Sequence, residues 1–152
     1  DTIPEKYFKG GFQTFFKHSE YFILLDVDQR SHLNIDQQLR LYTAFLRLEK
    51  LPQIKNLFIV AHDLDWQNTD DPTNAIHMIE RKLKEFPYLN VYIVTANHHP
   101  RLASQKTWFE SQVNMKTNIT YISGLVAGSE RDMAIQIRID ENGKVKINAL
   151  EL

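Results

Sequence analysis

Two apolar runs, Phe12 to Phe16 and Tyr21 to Val27, stand on either side of the polar Lys17-His18-Ser19-Glu20, the pattern of two strands joined as a hairpin. The second run holds Phe22-Ile23-Leu24-Leu25 with no polar alternation. A strand apolar on both faces is usually covered on both, which predicts a central place in a layered fold. Asn34 with Gln37 three residues on reads as a helix cap. Ile35, Leu39, Tyr42 and Leu46 then recur at helical spacing, with Leu41, Phe45 and Leu48 widening the stripe. Pro52 marks the helix end, and Leu57-Phe58-Ile59-Val60-Ala61 is a short buried strand that runs directly into His62.

The segment from His62 to Thr73 is an acidic loop, expected to close at Asp71-Pro72 as a capping residue followed by a proline in the first helical position. Ile76, Ile79, Leu83 and Phe86 give the second helix its buried stripe. Glu80 with Lys84 and Arg81 with Glu85 are spaced for ion pairs on its wet face. Val91 to Thr95 is the next strand, leading to Asn97, His98 and His99. Pro100 to Asn118 shows no strong strand, and Ala103 to Gln112 has some helical character. Ile119 to Ser123, Asp132 to Ile139 and Val145 to Leu150 complete the set, the last two around a turn at Glu141-Asn142-Gly143. The order predicts one α/β unit over residues 1–152, with layered mixed β-sheets flanked by helices.

Composition narrows the function classes. A chain of 152 residues with 43% hydrophobic content has the means to bury a core, and no stretch approaches the roughly 18 apolar residues of a membrane helix, so a soluble unit is expected. Charged residues make up 24% and cancel to a formal charge of -1, which gives no basic patch for nucleic acid. The absence of cysteine removes disulfides, thiolate metal sites and cysteine nucleophiles. The five glycines form neither a phosphate-cradling loop nor a dinucleotide fingerprint, and no nucleophile elbow is present. Asp63, Asp65, Asp70 and Asp71 lack the central glycine and terminal glutamate of a calcium loop.

What remains is a set of histidines at strand ends. Loops at the carboxyl ends of strands in an open α/β sheet are where ligands gather, so His62 is expected to approach Asn97, His98 and His99. Neutral imidazole is a common ligand for zinc, iron or manganese, and an amide oxygen can assist. Asp63 and His98 are candidate auxiliary ligands, and Trp66 and Trp108 are candidates for lining a substrate pocket.

The order of these pieces, from the strand ending at Asp26, through Phe58-Ile59-Val60-Ala61-His62 and Thr95-Ala96-Asn97-His98-His99, to Tyr121-Ile122-Ser123-Gly124, resembles the C-terminal half of a calcineurin-like metallophosphoesterase. The resemblance implies that His62, Asn97 and His99 are metal ligands, with Asn97 where the family has a histidine and Ala96 where it has a glycine. It also implies divalent manganese, iron or zinc, a phosphoester substrate, and hydrolysis by metal-activated hydroxide. The family's N-terminal motifs, Asp-x-His, Gly-Asp-x-x-Asp and Gly-Asn-His-Asp, do not occur. Two metals about 4 Å apart need several anionic ligands, so activity is expected only with a missing N-terminal half. The alternative is a noncatalytic binding or structural module with a degenerate metal site. A further one follows from Asp26-Val27-Asp28, which resembles the nucleophile motif of haloacid dehalogenase-like phosphatases, although Arg30 stands where that family has threonine or valine.

Overall fold

The structure, a computed structural model, describes residues 11–98, 109–114, 117–125 and 133–151. The first apolar pair forms the expected hairpin, β1 (Gln13–Lys17) against β2 (Glu20–Leu25), with Lys17 opposite Glu20 and His18 in the left-handed region at φ 55°. A positive φ at the first loop residue matches the twist of the two strands, which is why so short a connection closes here. Helix α1 (Ile35–Leu48) starts where Asn34 Oδ1 accepts from the Gln37 N–H at 2.9 Å. Gln37 is itself buried, and its Oε1 accepts from the Asp26 N–H at 3.2 Å, tying the first turn of the helix to the end of β2.

β3 (Asn56–Ala61) is the most enclosed strand, with Asn56, Leu57, Phe58 and Ile59 all lacking solvent exposure. Its unbroken apolar run is the signature of a strand covered on both faces. Helix α2 (Ala75–Leu83) follows, then β4 (Asn90–His98), β5 (Phe109–Val113), β6 (Ile119–Leu125), β7 (Met133–Ile139) and β8 (Val145–Glu151). Six strands make one sheet in the order β1-β2-β3-β4-β6-β5, and β7 and β8 make a separate antiparallel pair. β2, β3, β4 and β6 are mutually parallel, while β1 and β5 run antiparallel at the two edges.

The parallel strands advance across the sheet in one direction, so right-handed crossovers put α1 and α2 on the same face. There Leu41, Ala44, Phe45 and Leu48 of α1 and Ile76, Ile79 and Leu83 of α2 join Ile23, Ile59 and Ile93 in the main core, and Phe45 stacks on Phe86. The opposite face carries an aromatic row across four strands: Phe15, Phe22, Phe58 and Tyr92, with successive ring centroids 4.6, 4.8 and 4.9 Å apart. The β7–β8 hairpin lies against this side. Asn56 Nδ2 donates to the Gly143 carbonyl at 3.0 Å, and Ile135 sits so close to Gly124 that a Cβ there would stand 2.8 Å from it. The result is a layer of helices, a mixed sheet and a smaller sheet.

Several expectations are corrected. Ile35, Leu39, Tyr42 and Leu46 lie on the exposed side of α1, and the stripe through Leu41, Phe45 and Leu48 is the one that meets the sheet. Asp71 does not cap α2; Asn74 does, accepting from the Ile76 N–H at 2.9 Å while its amide nitrogen bonds the Asp65 and Asn68 carbonyls. Glu80 accepts from the Tyr121 hydroxyl, and the ion pairs seen on α2 among the described residues are those of Lys82, a largely covered side chain, with Glu85 at 2.5 Å and Glu49 at 3.8 Å. Residues 109–113 form an edge strand, a place that tolerates the polar Glu110, Ser111 and Gln112.

Candidate functional site

Leu25, Ala61, Thr95 and Ser123 stand in register across the four parallel strands; β2 and β3 end at this row, while β4 runs on to His98 and β6 to Leu125. Asp26 and His62 are therefore the first residues beyond the row on neighbouring strands, about 4.8 Å apart across the sheet. Because α1 and α2 share one face, the helices do not diverge between β3 and β4. The crevice of a doubly wound sheet is therefore not formed there, and the candidate site is the rim of loops itself.

His62 leaves β3 directly into this rim. Its side chain is 62% exposed, and Nδ1 lies 3.1 Å from Oδ1 of Asp63, whose side chain is only 26% exposed. A carboxylate at one ring nitrogen favours the tautomer that leaves the other nitrogen as an acceptor, the form in which imidazole binds a metal. Asn97 and His98 lie on β4, the strand beside β3, near its C-terminal end. The pairing of β4 with β6 shifts there: Thr95 faces Ser123, but His98 faces Leu125, so β4 carries one extra residue between them. Bulges of this kind occur at sheet edges and beside active sites, where they redirect the side chains that follow. His99 and Trp108 lie outside the described residues.

The structure thus brings His62 and Asp63 together and sets the β4 pair on the adjacent strand. A divalent cation takes four or more donors, and among the described residues no group of three or more His, Asp or Glu side chains is placed to hold one. The donor set is short by itself. Trp66 is buried and stacks on Tyr121 at 4.9 Å, so its ring belongs to the core and not to an open pocket wall. The Tyr121 hydroxyl is pushed well above its ordinary range by burial and by its bond to Glu80.

Asp28 is engaged in turn geometry. Its Oδ1 accepts from the N–H groups of Arg30 at 2.9 Å and His32 at 2.8 Å, and the His32 N–H bond foremost holds its carboxyl below the usual range. The carboxylate of Asp26 leans toward β1, where a Cβ on Gly11 would stand 2.1 Å from Oδ2. An arrangement of this kind orders the strand-to-helix turn.

One constellation had no single sequence signal. His32 Nε2 lies 2.8 Å from Thr73 Oγ1 and 3.2 Å from Asp71 Oδ2, and Nδ1 lies 3.7 Å from Asp28 Oδ2. Thr73 also donates to Asp71 Oδ1 at 2.5 Å, and its hydroxyl is the main reason that the Asp71 carboxyl falls to about 2. Beside it Ser31, buried and at φ 63°, donates from Oγ to the Asp63 carbonyl at 2.7 Å and accepts from the Asp65 N–H at 2.8 Å. The Ser31 carbonyl accepts from the Ala75 N–H at 2.8 Å. These bonds lock the β2–α1 loop to the β3–α2 loop and fix the base of Asp63. Only the Asp28–His32 spacing was visible in sequence, since Asp71 and Thr73 are distant in the chain. Neither protein-family models, curated proteins nor solved structures give a match to this chain.

Proposed function

We propose that this chain is the C-terminal portion of a calcineurin-like metallophosphoesterase unit, which hydrolyses a phosphoester when the N-terminal half supplies the missing carboxylate ligands. The observation that carries the reading is His62: an exposed imidazole at the end of a central parallel strand, backed by Asp63 at 3.1 Å, beside a bulged strand bearing Asn97 and His98. A layered β arrangement with helices outside the larger sheet is compatible with it. In this reading His62, Asn97 and His99 are ligands of the metal centre, and the cations are manganese, iron or zinc. A bound cation there would act as a Lewis acid toward a phosphoryl oxygen. The part of this chain is to orient the His62 imidazole through Asp63, whose own backbone is pinned by Ser31.

The shortage of donors among the described residues favours a second reading, a noncatalytic module that keeps the fold without a working centre. The two readings separate on the complete gene product. Metal content and turnover of an aryl phosphate, both lost in His62→Ala, support the enzyme. A folded complete protein with neither property supports the binding module.

A further inference from the structure

We infer that the cleft between the β1–β2 turn and the β7–β8 turn is a binding site for an aliphatic diamine, with one ammonium held by Glu20 and the other by the acidic wall opposite. Glu20 opens β2 in register with Asn56 and, through it, Asn90, a polar row laid across the N-terminal ends of three parallel strands. It is only 7% exposed. Oε1 accepts from Ser19 Oγ at 2.6 Å and from Asn56 Nδ2 at 3.5 Å, whereas Oε2 has no hydrogen-bond partner and no ion pair among the described residues. A buried carboxylate with no cation beside it is costly, and a cationic ligand is what offsets that cost. Glu20 lines a cleft of about 640 Å3, a volume that admits a small ligand.

The lining sets the chemistry of the ligand. Asp140 and Glu141, at the turn of the other hairpin, form the opposite wall. Asp140 Oδ1 is spent on the N–H groups of Asn142 and Lys144, both at 2.9 Å, and its Oδ2 is without a partner among the described residues. Three carboxylates thus share the cleft with one ammonium, that of Lys17, and one imidazole, that of His18, both on exposed residues. Lys17 stands opposite Glu20 in the hairpin but forms no ion pair with it. The excess of carboxylate calls for a cation. A metal ion is not the match, because among the described residues no group of three or more His, Asp or Glu side chains is placed to hold one. An ammonium asks for less, since its three N–H donors can be met by separate acceptors. Ile137 and Ile139 give the same cleft an apolar side on which a short alkyl chain can lie. The two walls are already joined, as Asn56 Nδ2 also donates to the Gly143 carbonyl at 3.0 Å, so little ordering is left for the ligand to bring about.

This inference is independent of the phosphoesterase reading, since it concerns the end of the sheet opposite His62. Calorimetric titration of the chain with 1,4-diaminobutane at neutral pH and low salt tests it. The expected result is one site with a dissociation constant of about 1 mM or tighter. Glu20→Gln keeps the shape of the side chain and its Oε1 acceptor, and should weaken binding at least about tenfold at unchanged circular dichroism. Glu141→Gln should weaken it severalfold, and Lys17→Met, which removes the competing cation, should tighten it. Both of these positions are exposed, so their opposite signs decide the matter even where Glu20→Gln alters folding. n-Butylamine, with a single charge, should bind severalfold more weakly than the diamine. Absence of binding up to about 20 mM diamine overturns the proposal. So does an affinity indifferent to Glu20→Gln in a folded variant, weaker binding in Lys17→Met, equal binding of the two amines, or magnesium chloride that displaces the diamine one for one.

Discussion

His32 and His62 stand on neighbouring loops at one rim of the sheet, yet they occupy opposite chemical situations. His32 is wedged between Asp28, Asp71 and Thr73, and its contacts are spent on holding two loops together. His62 has one acidic neighbour and most of its surface in solvent. A histidine whose ring nitrogens are both committed within the fold is part of its architecture, whereas one with a free side and an orienting carboxylate is available to a ligand. The difference is why a functional role is assigned to His62 and a structural one to the His32 cluster.

The comparison can be broken first at the lock that serves both. Ser31→Val removes a hydroxyl with two part-buried bonds and puts a β-branched residue at φ 63°. A loss of about 3 kcal/mol in urea unfolding is expected. A loss below about 1 kcal/mol would show that the loops are not coupled through this residue. His32→Ala is expected to cost about 1 kcal/mol, since its partners are partly exposed and screened by water. His62→Ala should lie within about 0.5 kcal/mol of the parent, the range of exposed positions away from packed features. A larger cost for His62 than for His32, read from the same unfolding curves, would reverse the assignment.

Acid sharpens the same contrast. Asp71 has its carboxyl lowered from 3.8 to about 2, chiefly by Thr73 and then by His32. A depressed folded-state value means that the contribution is present above the unfolded value and is lost as pH falls through the folded one. The stability difference between the parent and Asp71→Asn should therefore be constant above about pH 5 and shrink between about pH 4 and pH 2. Thr73→Val should raise the folded-state value of Asp71 toward its ordinary one, so that less stability is lost and the loss is complete at a higher pH. Unfolding midpoints across that window check both, and a difference unchanged at about pH 2 would contradict the Thr73–Asp71 account.

Much of the sheet could be read from the chain because its central strands are uninterrupted apolar runs, and Phe58 to Ala61 leading straight into His62 placed that residue at a strand end. The phase of α1 could not be read the same way. Two stripes of equal period overlap on one helix, and only the packing against Ile23 and Ile59 decides which is covered. β5 escaped notice because an edge strand need not show an apolar face. Asp71 and Asn74 both qualify as caps by residue type, and Asn74 is selected by the two loop carbonyls that its amide also reaches. Trp66, acidic-loop neighbour by sequence, is drawn into the core by Tyr121 on β6, a contact with no local signal.

The most direct test of the central claim is metal content by elemental analysis after dialysis against trace manganese, iron and zinc, run on this chain and on the complete gene product, each with an aryl phosphate assay. The account predicts little metal and no turnover for the chain alone, and near-stoichiometric metal with turnover for the complete protein, both lost in His62→Ala. Stoichiometric metal and turnover in the chain alone would contradict the need for an N-terminal half. Their absence from a folded complete protein would contradict the phosphoesterase reading itself.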